Sequence, residues 1–273
     1  MHRLYIDYKP NNRPIIQACK DLPVLDIEDL ALVASHNSNV DPNYLIFNTL
    51  DKFLDEVKSN NLLGRYEIVN GGLNSKPTPG GNLWTKSSQK PFVDISQIEE
   101  LKKIELDGNN VTIGGAVKIA ALIEFMTTMK ASHVTRAIID YLNLGAGPGI
   151  RNLGSVVGNL LTAQNFASDI YPLFLISDIF KYKVATTNGD VKEICGGCSI
   201  PKGYLVINVT FRIPDESSVL LLRKIANRSS MTLAIATCCF VKKKWEKNGK
   251  IVFGGKNMKD YCTIQAVNFE NVN

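Results

Sequence analysis

Gly145-Ala146-Gly147-Pro148-Gly149-Ile150-Arg151-Asn152-Leu153-Gly154-Ser155-Val156-Val157-Gly158-Asn159-Leu160-Leu161-Thr162 is the densest signal in the chain. Five glycines fall within the fourteen residues from Gly145 to Gly158, and glycine lets a backbone approach a ligand closely and adopt positive φ. A concave run of N–H donors, joined by the Ser155 and Thr162 hydroxyls and the Asn159 amide, suits a diphosphate. The run lacks the Gly-Lys-Ser/Thr ending of a P-loop, and it lacks a GxGxxG that follows a strand and precedes a distant acidic residue. On spacing alone it fits a tight turn between a helix and a buried segment at least as well. Arg151 either adds charge to such a site or forms a surface salt bridge.

Just downstream, Ser168-Asp169-Ile170-Tyr171-Pro172 sets a carboxylate in an apolar stretch. Asp169 can accept hydrogen bonds from ligand hydroxyls, and equally Ser168 or Asp169 can cap a helix. Lys224 and Arg228 flank Ala226-Asn227, where a lysine either neutralises a ligand phosphate or is simply solvated.

Upstream, Thr49 caps an expected helix through Leu50, Phe53, Leu54 and Val57, whose spacing of three and four marks one apolar face. A strand over 66–69 runs into Asn70-Gly71-Gly72, and Pro77-Thr78-Pro79-Gly80-Gly81 is loop. A strand over 92–95 follows, then a hairpin joining 103–106 to 111–113, then amphipathic helices over 118–129 and 133–142. Two further hairpins are expected across Asn188-Gly189 and Asn248-Gly249, with a long strand over 205–213 between them. The mixture is α+β with antiparallel sheet prominent, and not a doubly wound parallel fold. Residues 1–43 are polar and punctuated by proline, which reads as a linker or tail.

Composition narrows the function classes. A chain of 273 residues at 45% hydrophobic content makes one large domain or two small ones. No apolar run nears the roughly 18 residues of a membrane span, and no secretory signal opens the chain, so a cytoplasmic location is expected. Thiols there stay reduced. Cys195-Gly196-Gly197-Cys198 is a lone CxxC without the second pair a zinc ribbon needs, so it reads as loop, and no metal site is expected. The lysines at 242, 243, 244, 247 and 250 read as a solvated hairpin tip, without the aromatic platform of a nucleic-acid surface. None of the three histidines has a triad context, so no catalytic residue is assigned.

Taken together these segments resemble the flavin domain of the molybdenum hydroxylases, the family of xanthine dehydrogenase, aldehyde oxidase and the carbon monoxide dehydrogenase flavoprotein. The resemblance rests on Gly149 through Ala163 followed by Ser168-Asp169-Ile170-Tyr171-Pro172. It extends to Arg223-Lys224-Ile225-Ala226-Asn227-Arg228 and to the tail segments Asn12-Arg13-Pro14-Ile15 and Leu25-Asp26-Ile27-Glu28-Asp29-Leu30, the last similar to insect-type aldehyde oxidases.

The resemblance implies a PCMH-type fold, like that of vanillyl-alcohol oxidase. It implies a linker remnant over 1–43, an FAD-binding domain over 44–214 and an incomplete flavoprotein subdomain over 215–273. It assigns Ser155, Gly158, Asn159 and Thr162 to the pyrophosphate, Asp169 to the ribitol or ribose, and Lys224 to the flavin ring, with Val69, Gly71, Gly72 and Ala146 as further FAD contacts. In such enzymes electrons reach FAD from molybdenum through iron–sulfur clusters and pass to oxygen or NAD. The 2Fe-2S and molybdopterin modules, absent from this chain, would be its partners, and the full enzyme allows a homodimer. The altered first loop and the short C-terminal subdomain favour an alternative, a degenerate relative that has lost FAD and serves as an interaction or structural protein. The first loop, Val69-Asn70-Gly71-Gly72-Leu73-Asn74-Ser75, lacks the family's Asn-Thr pair, and Val157 stands where glycine is usual.

Overall fold

The structure is a computed structural model and describes residues 44–70, 91–161, 168–228, 234–255 and 262–268. Contacts divide the chain into units of residues 1–41 and 42–273, and all described residues belong to the second.

The first layer is small and parallel. Strand β1 (Tyr44–Ile46) leads through helix α1 (Leu50–Asn60) and the short α2 (Leu62–Arg65) to β2 (Glu67–Val69), and β3 (Phe92–Asp94) lies between β1 and β2. Both pairings are parallel, with Leu45 and Ile68 each opposite Val93. The apolar face of α1 supplies Phe53 and Val57 to a core shared with Val93, Ile95, Ile98 and Leu101. Asn61 takes a left-handed φ of 50°, which ends α1, and asparagine is one of the few side chains that tolerate that conformation.

A five-stranded antiparallel sheet follows, ordered β4-β5-β8-β6-β7. Hairpin β4 (Ile104–Asp107) and β5 (Asn110–Gly114) turns at Gly108, whose φ is +58°. Among the described residues between β5 and β6 lie five helices: α3 (Ile119–Thr128), α4 (His133–Asn143), α5 (Pro148–Leu153), α6 (Val156–Leu161) and α7 (Tyr171–Leu175). The start of α4 is fixed by a capping box between Ser132 and Thr135. Strands β6 (Phe180–Ala185), β7 (Val191–Cys195) and β8 (Leu205–Arg212) complete the sheet. Its packed face is aromatic: Phe174 stacks on Phe211 at 4.2 Å, and Phe180 meets Phe174 edge-on at 5.4 Å. Burial beside these rings pushes the Tyr182 phenol well up.

The last sheet is ordered β12-β11-β10-β9 and is antiparallel throughout: β9 (Ser218–Ile225), β10 (Ala236–Lys243), β11 (Asn248–Gly255) and β12 (Cys262–Asn268). Its inner residues Leu222, Cys239 and Val252 join the large core beneath α4 and α7.

Several elements differ from the sequence expectation. The hairpin turn of the last sheet falls on residues 244–247, not on Asn248-Gly249, which are already in β11 where the register shifts by a bulge. Strand β9 escaped notice because its alternation exposes Val219, Leu221 and Ile225, so it does not look amphipathic. Cys195 and Cys198 close a disulfide where reduced thiols were expected. The loop reading holds for Gly196 to Cys198 but not for Cys195, which ends β7 opposite Lys181; both cysteines are exposed, and Gly196 lies beneath the Phe180 ring, where any Cβ would overlap its atoms.

Candidate functional site

The carboxyl ends of β2 and β3 open onto a cavity of about 190 Å³. Val69 and Asn70 form one wall, Ile95 and Gly115 the floor, Ser155, Val157 and Gly158 the facing helix, and Tyr204 to Val206 the far side. Ligands of parallel sheets with crossover helices commonly bind outside such strand ends. Gly115 must be glycine, because a Cβ there would lie 2.2 Å from the Val206 carbonyl oxygen across the join to β8.

The glycine-rich run is mostly helical, which corrects the expected row of available donors. Pro148 starts α5, where its lack of an N–H costs nothing. Arg151 N–H then donates to Gly147 O, Gly154 N–H to Ile150 O, Val156 N–H to Val117 O and Asn159 N–H to Ser155 O. The Ser155 hydroxyl accepts the Gly158 N–H at 3.0 Å, capping α6. Val157, the feared intruder, sits in that helix, which requires negative φ, with its side chain in the core. Five N–H groups are thus committed to the fold, leaving side chains to supply much of any phosphate contact.

At the other end of the site Asp169 and Lys224 form an ion pair at 2.7 Å, with side chains only 18% and 5% exposed. The Lys224 ammonium also donates to Leu144 O at 3.1 Å. Burial pushes the Asp169 carboxyl up against the opposing pull of Lys224. Its Oδ1 is buried and has no hydrogen-bond partner. Gly145 lies alongside, where a Cβ would be 3.4 Å from Asp169 Oδ2. Ala146 has φ +43°, a left-handed conformation unusual for a residue with a Cβ. Among the described residues Arg151 makes no ion pair; its guanidinium donates to the carbonyls of Asn143, Gly145 and Ala146 at 2.9–3.1 Å. Neither Ser168 nor Asp169 occupies the N-cap of α7, which is Ile170; the Ser168 hydroxyl accepts from Ile170 and Tyr171 N–H just ahead of it. That hydroxyl also donates to Asn159 Oδ1 at 2.5 Å, which ties the Asp169 end to α6.

The structure therefore gathers Val69, Ser155 and Gly158 at one cavity and Asp169 and Lys224 at a second cluster beside Leu144 and Gly145, with Asn159 bonded across to Ser168 next to Asp169; the Ala146 carbonyl instead accepts from Arg151. Gly71, Gly72 and Thr162 lie outside the described residues. Sequence reasoning missed Asn70 and the 204–206 wall. The Gly114-Gly115 doublet at the end of a predicted hairpin was the available signal for a close backbone approach there. A larger cleft of about 1030 Å³ lies between the two antiparallel sheets. It contains none of the predicted residues, and its charges, among them Asp178, Arg212, Asp215 and Lys243, are of both signs.

Residues 67–194 match the family described as the FAD binding domain in molybdopterin dehydrogenase. The chain is 28% identical over 207 residues to abscisic-aldehyde oxidase of Arabidopsis thaliana, covering 62% of this chain and 16% of that protein. It is 29% identical over 109 residues to xanthine dehydrogenase 1 of the same plant, covering 38% and 8%. The chain thus spans only a small part of the length of these curated relatives. Among solved structures, reconstituted CO dehydrogenase from Oligotropha carboxidovorans superposes with a TM-score of 0.65 at 17% identity, over 81% of this chain and 76% of that one. Quinoline 2-oxidoreductase from Pseudomonas putida 86 gives 0.60 at 16% identity, over 81% and 75%. These two likenesses speak to the fold.

Proposed function

This chain carries an FAD-binding domain of the molybdenum hydroxylase family, and from that premise we propose that it holds FAD as the electron-transfer module of a larger aldehyde oxidase- or xanthine dehydrogenase-like enzyme. Its mixed helix and sheet architecture is consistent with the PCMH-type FAD-binding fold. The observation that carries the reading is the convergence of Val69 and Ser155, far apart in sequence, on one cavity at the ends of β2 and β3.

The residues fit the group. A cavity of about 190 Å³ is smaller than the ~300 Å³ or more of whole-ligand pockets, and suits one portion of a dinucleotide such as its diphosphate. Ser155 offers a hydroxyl there, and the buried, unpartnered Asp169 Oδ1 offers an acceptor for a ligand hydroxyl. Lys224 holds that carboxylate in place. When bound, the isoalloxazine ring supplies the redox chemistry, and the protein's part is to bind and orient it. Iron–sulfur and molybdopterin modules as electron donors, oxygen or NAD as acceptor, a homodimer of the full enzyme, the division near residue 214 and a cytoplasmic location belong to the same proposal. Among the described residues no helix is long and apolar enough to cross a membrane.

A second reading, a relative that no longer binds FAD and serves as an interaction or structural protein, is favoured by the five N–H groups of the glycine-rich run that bond within the fold. One measurement separates the two. The chain purified with added FAD should retain absorbance between about 350 and 500 nm, the signature the cofactor supplies. A folded chain, by circular dichroism, that retains no flavin would overturn the first reading in favour of the second.

A further inference from the structure

Lys118 immediately precedes α3 and pairs with Ser155 through an isolated backbone bridge. Its ammonium donates to Asn70 Oδ1 at 2.7 Å, and the Asn70 amide donates onward to Gly115 O at 3.4 Å. Asn70, Gly115 and Ser155 all wall the cavity, so this cation stands at its edge. The adjacent Ile119 N–H is already bonded to Gly154 O, which leaves the side chain as the donor at this corner.

A half-buried ammonium ordinarily rests on a carboxylate, because losing water without a counter-charge is costly. Among the described residues no carboxylate comes within ion-pair distance of Lys118. Asp94, at the end of β3, acts on it only through space and is opposed by Lys102, and burial lowers the lysine's affinity for its proton. Asp94 Oδ1 accepts the Ser96 N–H. Nor does the sequence that continues the Asn70 loop contain an anion: residues 71–90 include Lys76, Lys86 and Lys90 and no Asp or Glu. The corner is a cation with a neutral partner, beside a serine hydroxyl, in a cavity the size of a small polar group.

We propose that Lys118 is the anion-binding residue of this cleft, placed to take charge from the diphosphate of a bound dinucleotide next to the Ser155 hydroxyl. The inference rests on the flavin reading for the identity of the dinucleotide, and on the geometry of Lys118 for the anion.

The test uses the full chain and three probes: FAD, inorganic pyrophosphate, and riboflavin as the phosphate-free control. Binding is followed by calorimetry and flavin fluorescence at about 50 and 200 mM salt, concentrations across which exposed charge is progressively screened. Lys118→Met should weaken FAD and pyrophosphate by about tenfold or more and flatten their salt dependence, while leaving riboflavin unchanged. Lys118→Arg should keep most of the anion affinity, which excludes misfolding as the cause. If Lys118→Met binds FAD and pyrophosphate as the parent does, with the same salt dependence, the inference is overturned although the flavin reading stands. If the parent retains no FAD but binds pyrophosphate in a Lys118-dependent manner, the flavin reading fails and the anion site stands.

Discussion

At the Asp169 end of the site a lysine and a carboxylate are buried against each other, whereas at the Val69 end Lys118 has only a neutral amide oxygen to hold. One has its charge balanced by the chain itself and the other leaves a charge to be balanced from outside. Buried charge without a partner is unfavourable, so the first arrangement fixes the Asp169 carboxylate from within the chain and the second is the one proposed to meet an anion from outside.

That contrast is best attacked first at its closed end. Asp169→Ala strands the Lys224 ammonium, and urea unfolding should show a loss of about 3–5 kcal/mol, as for other broken buried pairs. The paired change Asp169→Leu with Lys224→Met should recover most of it; if it does not, the pair is more than a structural balance. Arg151→Ala removes the donor shared by three carbonyls and should cost about 1–3 kcal/mol in the same assay.

A pH series tests the sign of the closed end. Burial raises the Asp169 carboxyl above its unfolded value of 3.8, so the folded chain keeps a proton that the unfolded chain has released. Its contribution is full below that value and is lost as pH rises through the folded one, and Asp169→Asn should remove this decline from the unfolding midpoints. Asp215 behaves oppositely: the Lys243 ammonium, then the Ser217 hydroxyl, hold it down to about 2, so its contribution is lost as pH falls toward that value. Ala146→Gly should raise stability by up to about 1 kcal/mol, since glycine adopts positive φ without the Cβ clash. Smallest of all, Lys118→Met should change the stability of the ligand-free chain by less than about 0.5 kcal/mol, because it breaks no ion pair. A loss comparable to that of Asp169→Ala would erase the distinction between the two ends.

Elements with strong local signals were legible in the sequence. The apolar spacing of Leu50, Phe53 and Val57 and the amphipathic pattern over 133–142 depend on neighbours within a turn or two, and both helices lie where the periodicity puts them. The glycine-rich run was located but misread in conformation, because its glycines suggested loop while Pro148 at the first helical position and the Ser155 cap favoured two short helices. Strand β9 was hidden because its exposed face is apolar. The Asp169–Lys224 pair and the Lys118–Asn70 contact join residues 55 and 48 apart, and no spacing rule within one element announces such partners. What a family resemblance supplied was the set of positions; what the fold supplied was which of them share a cavity.

The pairing of β5 with β8 has a consequence in time. The Thr112 and Thr210 hydroxyls meet at 2.9 Å across 98 residues of chain, and helices α3 to α7 with hairpin β6–β7 all lie inside the loop that this pairing closes. A ribosome adding about 5–20 residues per second emits the whole of that loop before the strand that closes it. The cavity wall at 204–206 belongs to the same late segment. Newly made chains therefore carry the described helices α3 to α7 and a hairpin ahead of β8, and pairing that strand with β5 is a closure of high contact order.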